Sequence, residues 1–329
     1  MPTETGQISI NFEGERADTV FFDPLFLGME ASGMFRVMTN VVHKKDIGFI
    51  GHLSNILQKD TGCGFTPKGD LSMYQRTIEV DRVKVDLTQC ADELNNTIWE
   101  ESKRKGVNQN DLRGTIMSQV ALTRINQGIS LDTNRLFWFG NKKSTDVSYN
   151  LLDGMWTIHL PELTNGANPP TPYVNSNSGA PLAPGDALEL LKEIWKAQSL
   201  NLKGFPRASK RFFVSRSIYE AYMDDLENLG GGDAGRTATI NGVEMLAYRG
   251  IPLVEMPLWD EYSETDLNQP DKHLALLTIP SNLVLATDLM SSMNQVKIWF
   301  DDFREQTDYK VKFKLGSNYV HPSLMVAAY

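Results

Sequence analysis

The chain has 329 residues, of which 32 are Lys or Arg and 41 are Asp or Glu, so its formal net charge is −9. Hydrophobic residues make up 41% of it, which excludes a disordered chain because this much apolar surface can offset the entropy lost on ordering. The excess of acidic residues excludes a sequence-specific nucleic-acid-binding protein, because such a protein needs a basic face to neutralise phosphates. Two cysteines, Cys63 and Cys90, cannot by themselves form a disulfide framework or a four-ligand zinc site, so a reducing compartment is expected.

Residues 1–45 are polar at the start and then carry apolar clusters around Phe21, Phe22 and Phe26. They begin without the basic residues of a secretory signal, and no part of the chain has 18 uninterrupted apolar residues. A soluble product made in the cytoplasm is therefore expected. Because the clusters follow neither a strand nor a helix period, two interpretations stay open: an arm laid across a surface, or a short core helix with loops.

Residues 46–90 combine five glycines with a strand-like run from Tyr74 to Leu87. The run alternates imperfectly between polar and apolar residues, which indicates a strand that twists or changes the face it covers. Two extended segments around a glycine-rich tip predict a long hairpin, and its polar content predicts that it projects from the body of the protein.

Two helices are predicted after the hairpin. Apolar residues at helical spacing predict the first over 91–101. A longer apolar stripe predicts the second over 109–127, and an aromatic strand is expected at 136–139.

Residues 163–185 contain no charged residue and five of the 15 prolines, which marks the clearest segment boundary in the chain. Two interpretations stay open here as well: a mobile linker, or an ordered stretch that lies against a partner through Tyr173. Beyond the boundary an α/β pattern begins, with a helix capped by Asp186, a strand at 211–214, a helix over 217–226, a hairpin over 239–256 and a strand at 273–279.

The last predicted strand has strict alternation. Four apolar residues alternate with three lysines, which predicts a half-buried strand with one apolar and one lysine face. Two interpretations of the lysine face stay open: it is solvated, or it meets phosphate or an acidic neighbour. The residues are Tyr309, Val311, Phe313 and Leu315 on the apolar side, and Lys310, Lys312 and Lys314 on the other.

No motif in the chain carries catalytic chemistry in the context that the chemistry needs. The five histidines are isolated from one another and none belongs to a zinc-binding H-E-x-x-H helix. Asp60-Thr61-Gly62 matches the aspartic-protease triplet but does not follow an apolar strand. The glycine-rich run 230–235 leaves a helix and enters a strand, which is the reverse of a phosphate loop. We therefore assign no catalytic, cofactor-binding or metal residue and expect no cofactor.

The order of elements resembles the major capsid proteins of tailed bacteriophages, which have the Hong Kong 97-type shell fold. The order is an arm, a long hairpin, a long helix, a charge-free crossover, an α/β region and returning strands. Three runs resemble the later half of that family: the FFVS strand with the SIYEAYMDDL helix after it, the GIPLV strand, and the closing strand that begins TDYKVKFKLG. The resemblance covers most of residues 86–329.

The resemblance implies an α+β chain with a Hong Kong 97-like capsid fold: an N-terminal arm, an extended hairpin loop, a peripheral domain with a long spine helix, and an α/β axial domain. The implied boundaries are 1–45 for the arm, 46–85 for the extended loop, 86–150 and 296–320 for the peripheral domain with its spine helix at 109–127, and 151–295 and 321–329 for the axial domain.

The function implied by the resemblance is that of a major capsid protein of a tailed double-stranded DNA phage, and not that of an enzyme. The expected partners are other copies of the chain in hexamers and pentamers, a portal protein and a separate scaffolding protein, since too few residues precede the loop for a fused scaffolding domain. Packaged DNA is expected to make only weak non-specific contact, no membrane is involved, and decoration proteins are left open. The expected location is the virion, with assembly in the host cytoplasm.

The residues expected at contacts between subunits are aromatic or apolar. They are Phe21, Phe22, Phe26, Phe49, Leu53, Phe65, Tyr74 and Tyr173. A covalent link through Lys59 or Lys68 in the loop is left open. Two alternative functions remain: the shell of an encapsulin-like nanocompartment and, from a different class, an enzyme with a cleft near 230–235.

Overall fold

The computed structural model describes residues 10–13, 34–51, 53, 56–59, 67–69, 73–94, 110–161, 173–174, 182–228, 237–240, 243–266, 273–288 and 295–328. The chain divides into two units, each made of three segments. The first unit comprises Met1–Lys45, Ile78–Gly154 and Leu285–Ser317, and the second comprises Asp46–Thr77, Met155–Val284 and Asn318–Tyr329.

The strands of the described residues are β1 (Ile10–Glu13), β2 (Arg36–Met38), β3 (Lys44–Ile50), β4 (Met73–Glu79), β5 (Asp81–Cys90), β6 (Tyr173–Val174), β7 (Arg211–Ser215), β8 (Thr237–Ile240), β9 (Val243–Tyr248), β10 (Ile251–Met256), β11 (Ala275–Thr278), β12 (Leu283–Thr287), β13 (Gln295–Asp301), β14 (Gln306–Tyr319) and β15 (Met325–Ala328). The α-helices are α1 (Ile116–Phe139), α2 (Asp186–Lys196), α3 (Leu200–Lys203), α4 (Arg216–Asn228) and α5 (Trp259–Glu261). No described helix is both long and apolar enough to cross a membrane.

The first unit is built on a sheet of six strands in the order β1-β13-β14-β12-β2, with β5 also paired to β14. Strand β14 pairs antiparallel with β5 along ten residues, from Gln306 opposite Cys90 to Leu315 opposite Asp81. The predicted alternation of β14 is confirmed on its apolar side, because its four predicted core residues are buried. Side chains from one face of this sheet therefore supply much of the unit's core.

Of the two interpretations of the lysine face of β14, the solvated face is found at Lys312, whereas Lys310 and Lys314 meet acidic neighbours. Lys312 is exposed as expected, but Lys310 lies 3.5 Å from the carboxylate of Asp86 on the neighbouring strand. Lys314 is only 7% exposed, and its ammonium lies 3.8 Å from the buried carboxylate of Asp288. Sequence alternation indicates which residues share a face, but the charged groups that cover that face come from distant parts of the chain.

Helix α1 begins later and ends later than the predicted helix at 109–127. The hydroxyl of Thr115 accepts a hydrogen bond from the Ser118 backbone N–H, which caps the helix at its first turn. The helix continues to Phe139, so the aromatic strand expected at 136–139 is its last turn. That turn is buried on every side, and a short continuous apolar run has the same appearance in a buried strand and a buried helix.

The second unit contains a seven-stranded sheet in the order β6-β15-β11-β7-β10-β9-β8. Strands β7 and β10 are parallel, and the chain between them forms α4, β8 and β9. Helices α2 and α4 pack on this sheet through the apolar residues that their 3.6-residue period predicts. These residues include Leu190, Leu191 and Ile194 of α2, and Ile218 and Tyr222 of α4.

The predicted strand at 211–214 and the helix after it are confirmed in this unit. The first strand of the hairpin predicted over 239–256 is divided between β8 and β9, and β9 pairs antiparallel with β10. The predicted cap is wrong in detail: Gly185, in a left-handed conformation, precedes α2, and Asp225 accepts hydrogen bonds from the backbone N–H groups of Gly185 and Leu188. Asp225 lies on α4, and the packing of α4 brings its carboxylate to the start of α2. The sequence around residue 186 does not indicate this contact, because Asp225 is distant in the chain.

Two further predictions fall partly outside the described residues. Of the helix expected over 91–101, the structure describes a 3₁₀ turn at Ala91–Leu94. Of the charge-free stretch 163–185, it places Tyr173 and Val174 in β6, paired with β15. The glycine-rich run 230–235 and the Asp60 triplet lie outside the described residues.

Candidate functional site

Strands β3 and β4 pair in a two-stranded sheet, as the predicted hairpin requires, but the predicted run 74–87 is divided between β4 and β5, and β5 pairs with β14. The described residues of β3, β4 and the segment between them include several large apolar side chains that face solvent. Leu57 is 87% exposed and Met73 is 70% exposed. Ile50, Leu53, Ile56 and Tyr74 are exposed as well. Such a group of exposed apolar side chains marks an interaction surface, because a free monomer gains nothing by presenting it to water.

Arg76 fixes strand β4 of the hairpin to the end of β14. Its guanidinium lies 3.7 Å from the centre of the Tyr319 ring, and its Nε donates to the side-chain oxygen of Asn318 at 2.6 Å. Arg76 also donates to the Tyr319 hydroxyl, and the Asn318 amide donates to the Thr77 carbonyl at 3.0 Å. A planar guanidinium that stacks and donates at once holds one orientation, so this contact sets the direction of the strand.

An aromatic cluster lies beside this contact. The His321 ring centre is 4.6 Å from that of Phe49 on β3 and 4.3 Å from that of Tyr74 on β4. The imidazole Nδ1 accepts from the backbone N–H of Ser323 at 3.1 Å. Burial lowers the pKa of His321 below its ordinary value, since the charged form would lose hydration there.

An open groove of about 580 Å³ lies between the hairpin and helix α3. Its lining is mainly apolar, with one basic residue. The lining residues are Phe49, Ile50, Gly51, Leu53, Leu200, Asn201, Lys203, Gly204 and Phe205.

The structure is similar to solved capsid and shell proteins along almost its full length. The capsid of the Myoviridae phage XM1 has a TM-score of 0.55 at 11% identity and covers 92% of this chain and 90% of that chain. The capsid of the cyanophage P-SCSP1u has a TM-score of 0.53 at 13% identity, over 100% of this chain and 92% of that one. The SrpI encapsulin complex of Synechococcus elongatus has a TM-score of 0.51 at 14% identity, over 93% and 86%.

The chain has the Hong Kong 97-type shell fold. No family model and no curated protein matches the sequence, so the similarity lies in the structure.

Four of the eight residues expected at subunit contacts lie in the described part of the chain. Leu53 lines the groove and is exposed, whereas Phe49 and Tyr74 belong to the aromatic cluster beside it. The structure places the backbone of Tyr173 in β6. The other four, Phe21, Phe22, Phe26 and Phe65, lie outside the described residues.

Sequence reasoning missed two strongly exposed apolar side chains among the described residues. Leu57 follows Ile56 and Met73 precedes Tyr74 within a polar, glycine-rich segment, and such apolar pairs were the available signal. Phe303, in the turn between β13 and β14, is 97% exposed, and Arg304 next to it bonds to Asp301 and Asp308. The turn is held rigid by these ion pairs while the phenyl ring points into solvent.

One cluster in the second unit contains the residue types of a hydrolase triad. The Ser217 Oγ lies 2.9 Å from Nδ1 of His273, and Asp260 accepts from the Ser217 backbone N–H at 2.8 Å. A triad carboxylate orients the imidazole, whereas the Asp260 carboxylate binds the serine at the start of α4. The cluster therefore has the contacts of a helix cap. Among the described residues, no three His, Cys, Asp or Glu side chains converge as metal ligands.

Proposed function

We propose that this chain is the major capsid protein of a tailed double-stranded DNA phage, and that it assembles into hexamers and pentamers of an icosahedral shell around the genome. The observation that carries the proposal is the shell fold, which aligns with a phage capsid protein over 92% of this chain and 90% of the other. The exposed apolar hairpin supports it, because such a surface fits a protein that works among its own copies.

The proposed domains follow from the same fold. Residues 1–45 form the N-terminal arm and 46–85 the extended loop. The peripheral domain comprises 86–150 and 296–320, and the axial domain comprises 151–295 and 321–329. We propose that α1 is the spine helix, so the spine helix comprises Ile116–Phe139 and not the expected 109–127.

The proposed contacts between neighbouring subunits are made by the arm and the loop. Eight side chains take part in the proposal: Phe21, Phe22, Phe26, Phe49, Leu53, Phe65, Tyr74 and Tyr173. We add Leu57 and Met73, because their exposed side chains would be covered by a neighbour. Burial of each would contribute about 1.5–3 kcal/mol to assembly before the entropy of ordering is subtracted.

The other proposed partners are a separate scaffolding protein and a portal protein. The net charge of −9 suits a wall that encloses DNA with weak, non-specific contact, because like charges keep the polymer from adhering. The protein acts without catalysis, is assembled in the host cytoplasm and remains in the virion.

A second candidate function is the shell of a protein nanocompartment. The observation that favours it is the similarity to the SrpI encapsulin complex at a TM-score of 0.51. The content of purified particles distinguishes the two functions. Particles that package DNA through a portal support the capsid, whereas closed particles filled with a cargo protein support the nanocompartment.

Replacement of Leu57 by Glu tests the role of the hairpin. We expect the purified Leu57→Glu chain to sediment as an unassembled subunit under conditions in which the unchanged chain forms rings or shells. The variant should keep its circular dichroism and its melting temperature, because the side chain makes little contact within its own chain. The matched control is Val147→Glu, an exposed apolar position of the first unit, which should assemble. Normal assembly of Leu57→Glu would refute the role of the hairpin.

A further inference from the structure

Basic side chains surround Trp195 at the C-terminal end of helix α2. The guanidinium carbons of Arg207 and Arg249 lie 5.2 Å and 5.6 Å from the centre of the indole ring, and the Lys210 ammonium lies 5.9 Å from it. Lys203, on the short helix α3, is close enough to repel Lys210. We call Trp195, Lys203, Arg207, Lys210 and Arg249 the basic patch.

The positive charge of the basic patch is not neutralised within the described part of the chain. Lys210 is only 2% exposed, and its ammonium donates to the side-chain oxygen of Gln198 at 2.8 Å. Burial, followed by repulsion from Arg207 and Lys203, lowers its pKa. None of the four cations has a described carboxylate within ion-pair distance. A buried cation is stabilised by an anion, so the patch fits an anionic partner.

An acidic surface lies at the opposite end of the same helix. Asp225 of α4 accepts from the backbone N–H groups that begin α2, which places the C-terminal end of α4 against the N-terminal end of α2. Asp224 and Glu227 are exposed on either side of Asp225, line a recess of about 260 Å³, and have no described basic group within ion-pair distance. We call Asp224 and Glu227 the acidic patch.

The two patches are separated by the length of α2, about 16 Å for its 11 residues. A ring of identical subunits needs two different and complementary surfaces on each subunit, since every contact is head to tail. We propose that the basic patch of one copy binds the acidic patch of the next copy around each ring. The inference rests on the proposed function and names the surfaces by which the copies recognise each other.

A second copy fits the basic patch better than a nucleic acid does. The two guanidinium groups already contact the indole ring, so a base that stacks on this ring would compete with them. Each copy also carries the complementary acidic patch, and opposite charges of this kind select the partner and its register.

Reciprocal charge reversal tests the pairing. One variant carries Arg207→Glu and Arg249→Glu, a second carries Asp224→Lys and Glu227→Lys, and a third carries all four changes. Assembly is measured by sedimentation velocity across a range of protein concentrations. We expect each of the first two variants to need at least a tenfold higher concentration to assemble, and the third, whose net charge equals that of the unchanged chain, to recover most of the loss.

The controls separate this inference from the proposed function. The unchanged chain in the same experiment tests assembly itself, and a chain with Arg124→Glu and Lys143→Glu repeats the charge change of the first variant at exposed positions of the first unit. Melting temperatures verify that each variant folds. If the fourfold variant assembles no better than the twofold variants, the two patches do not pair. Binding to a duplex DNA probe is measured as well. If the variant with Arg207→Glu and Arg249→Glu loses DNA binding, and the fourfold variant recovers neither DNA binding nor assembly, the basic patch binds nucleic acid and the inference fails.

Discussion

Three glycines of the first unit stand where a neighbouring backbone leaves no room for a side chain. A Cβ atom on Gly316 of β14 would lie 2.0 Å from the carbonyl oxygen of Glu79. At Gly140 it would lie 2.5 Å from the Leu152 carbonyl oxygen, and at Gly154 it would lie 2.4 Å from the backbone nitrogen of Gly140. Because backbone atoms cannot turn away as a flexible side chain can, these approaches require glycine.

Gly316→Ala is expected to lower the free energy of unfolding by about 3 kcal/mol, since the added methyl group displaces backbone in a close-packed region. Gly128→Ala is the matched control. Gly128 lies within α1 with no atom within 4 Å of the added carbon, so alanine should raise stability by about 1 kcal/mol through helix propensity. Urea denaturation of the unassembled subunit measures both values. Equal stability of the two variants would contradict the close approach at Gly316.

His321 makes the second unit sensitive to acid. Its pKa lies below the ordinary value of about 6.5, so the unfolded chain binds a proton more readily than the folded protein does. The stability that depends on neutral His321 is therefore fully present above about pH 6.5. It decreases as the pH falls through about 6.5 toward the lowered pKa.

His321→Asn should reduce that pH dependence. Asparagine does not titrate, and its side-chain oxygen can accept from the Ser323 backbone N–H as the imidazole does now. We expect the loss of unfolding free energy between pH 7.5 and pH 5.5 to be smaller in the variant than in the unchanged chain. An identical loss in both proteins would assign the acid sensitivity to other groups.

At the scale of elements, Arg76 joins strand β4 of the hairpin to the end of β14, beside the ring contacts of Phe49 and Tyr74 with His321. Arg76 supplies a stacking contact and two hydrogen bonds to residues at the end of β14. The segment beyond it presents apolar side chains to solvent. Loss of the Arg76 contact is therefore expected to loosen β4 locally, while Phe49 of β3 stays packed against the core of the second unit.

Arg76→Ala is expected to loosen strand β4 of the hairpin, because a charged hydrogen-bond network of this kind contributes about 1.5–3 kcal/mol. Limited proteolysis should cut the segment between β3 and β4 about ten times faster than in the unchanged chain. Arg36→Ala serves as the control, since Arg36 is an exposed arginine of β2. Equal cleavage of Arg76→Ala and Arg36→Ala would show that the hairpin is attached by other contacts.

The elements that could be predicted from sequence are those with a clean local signal. The strand at 211–214, helix α4 and the apolar side of β14 were predictable because their periods of 2 and 3.6 are set by local geometry. The end of α1 was not, because burial on all sides removes the polar positions that reveal a period. The cap that Asp225 supplies to α2 and the ion pair of Lys314 depend on residues far apart in the chain.

The candidate site was predictable only in outline. The hairpin followed from its glycines and strand pattern, and three of its contact residues lie in the described part of the chain. The exposed Leu57 and Phe303 were missed, because neither lies in a segment with the period of a strand or a helix. Arg76 was missed because its partners, Asn318 and Tyr319, are more than 240 residues away.

At the scale of the whole molecule, the two units are interleaved along the chain. Each consists of three segments, and β14 passes from the first unit into the second between Ser317 and Asn318. Contacts between distant segments form slowly, since loop closure costs entropy before contacts compensate it. Such a chain exposes apolar surface while it folds, and a partner that binds this surface during assembly would protect it.

The central claim is that copies of this chain form a closed shell. Electron microscopy of the purified full-length chain tests it most directly, because single rings and closed particles can be counted and their rotational symmetry measured. We expect rings with fivefold and sixfold symmetry or closed icosahedral particles built from them. A chain that remains a folded monomer at every concentration, or that forms only particles without fivefold and sixfold rings, would contradict it.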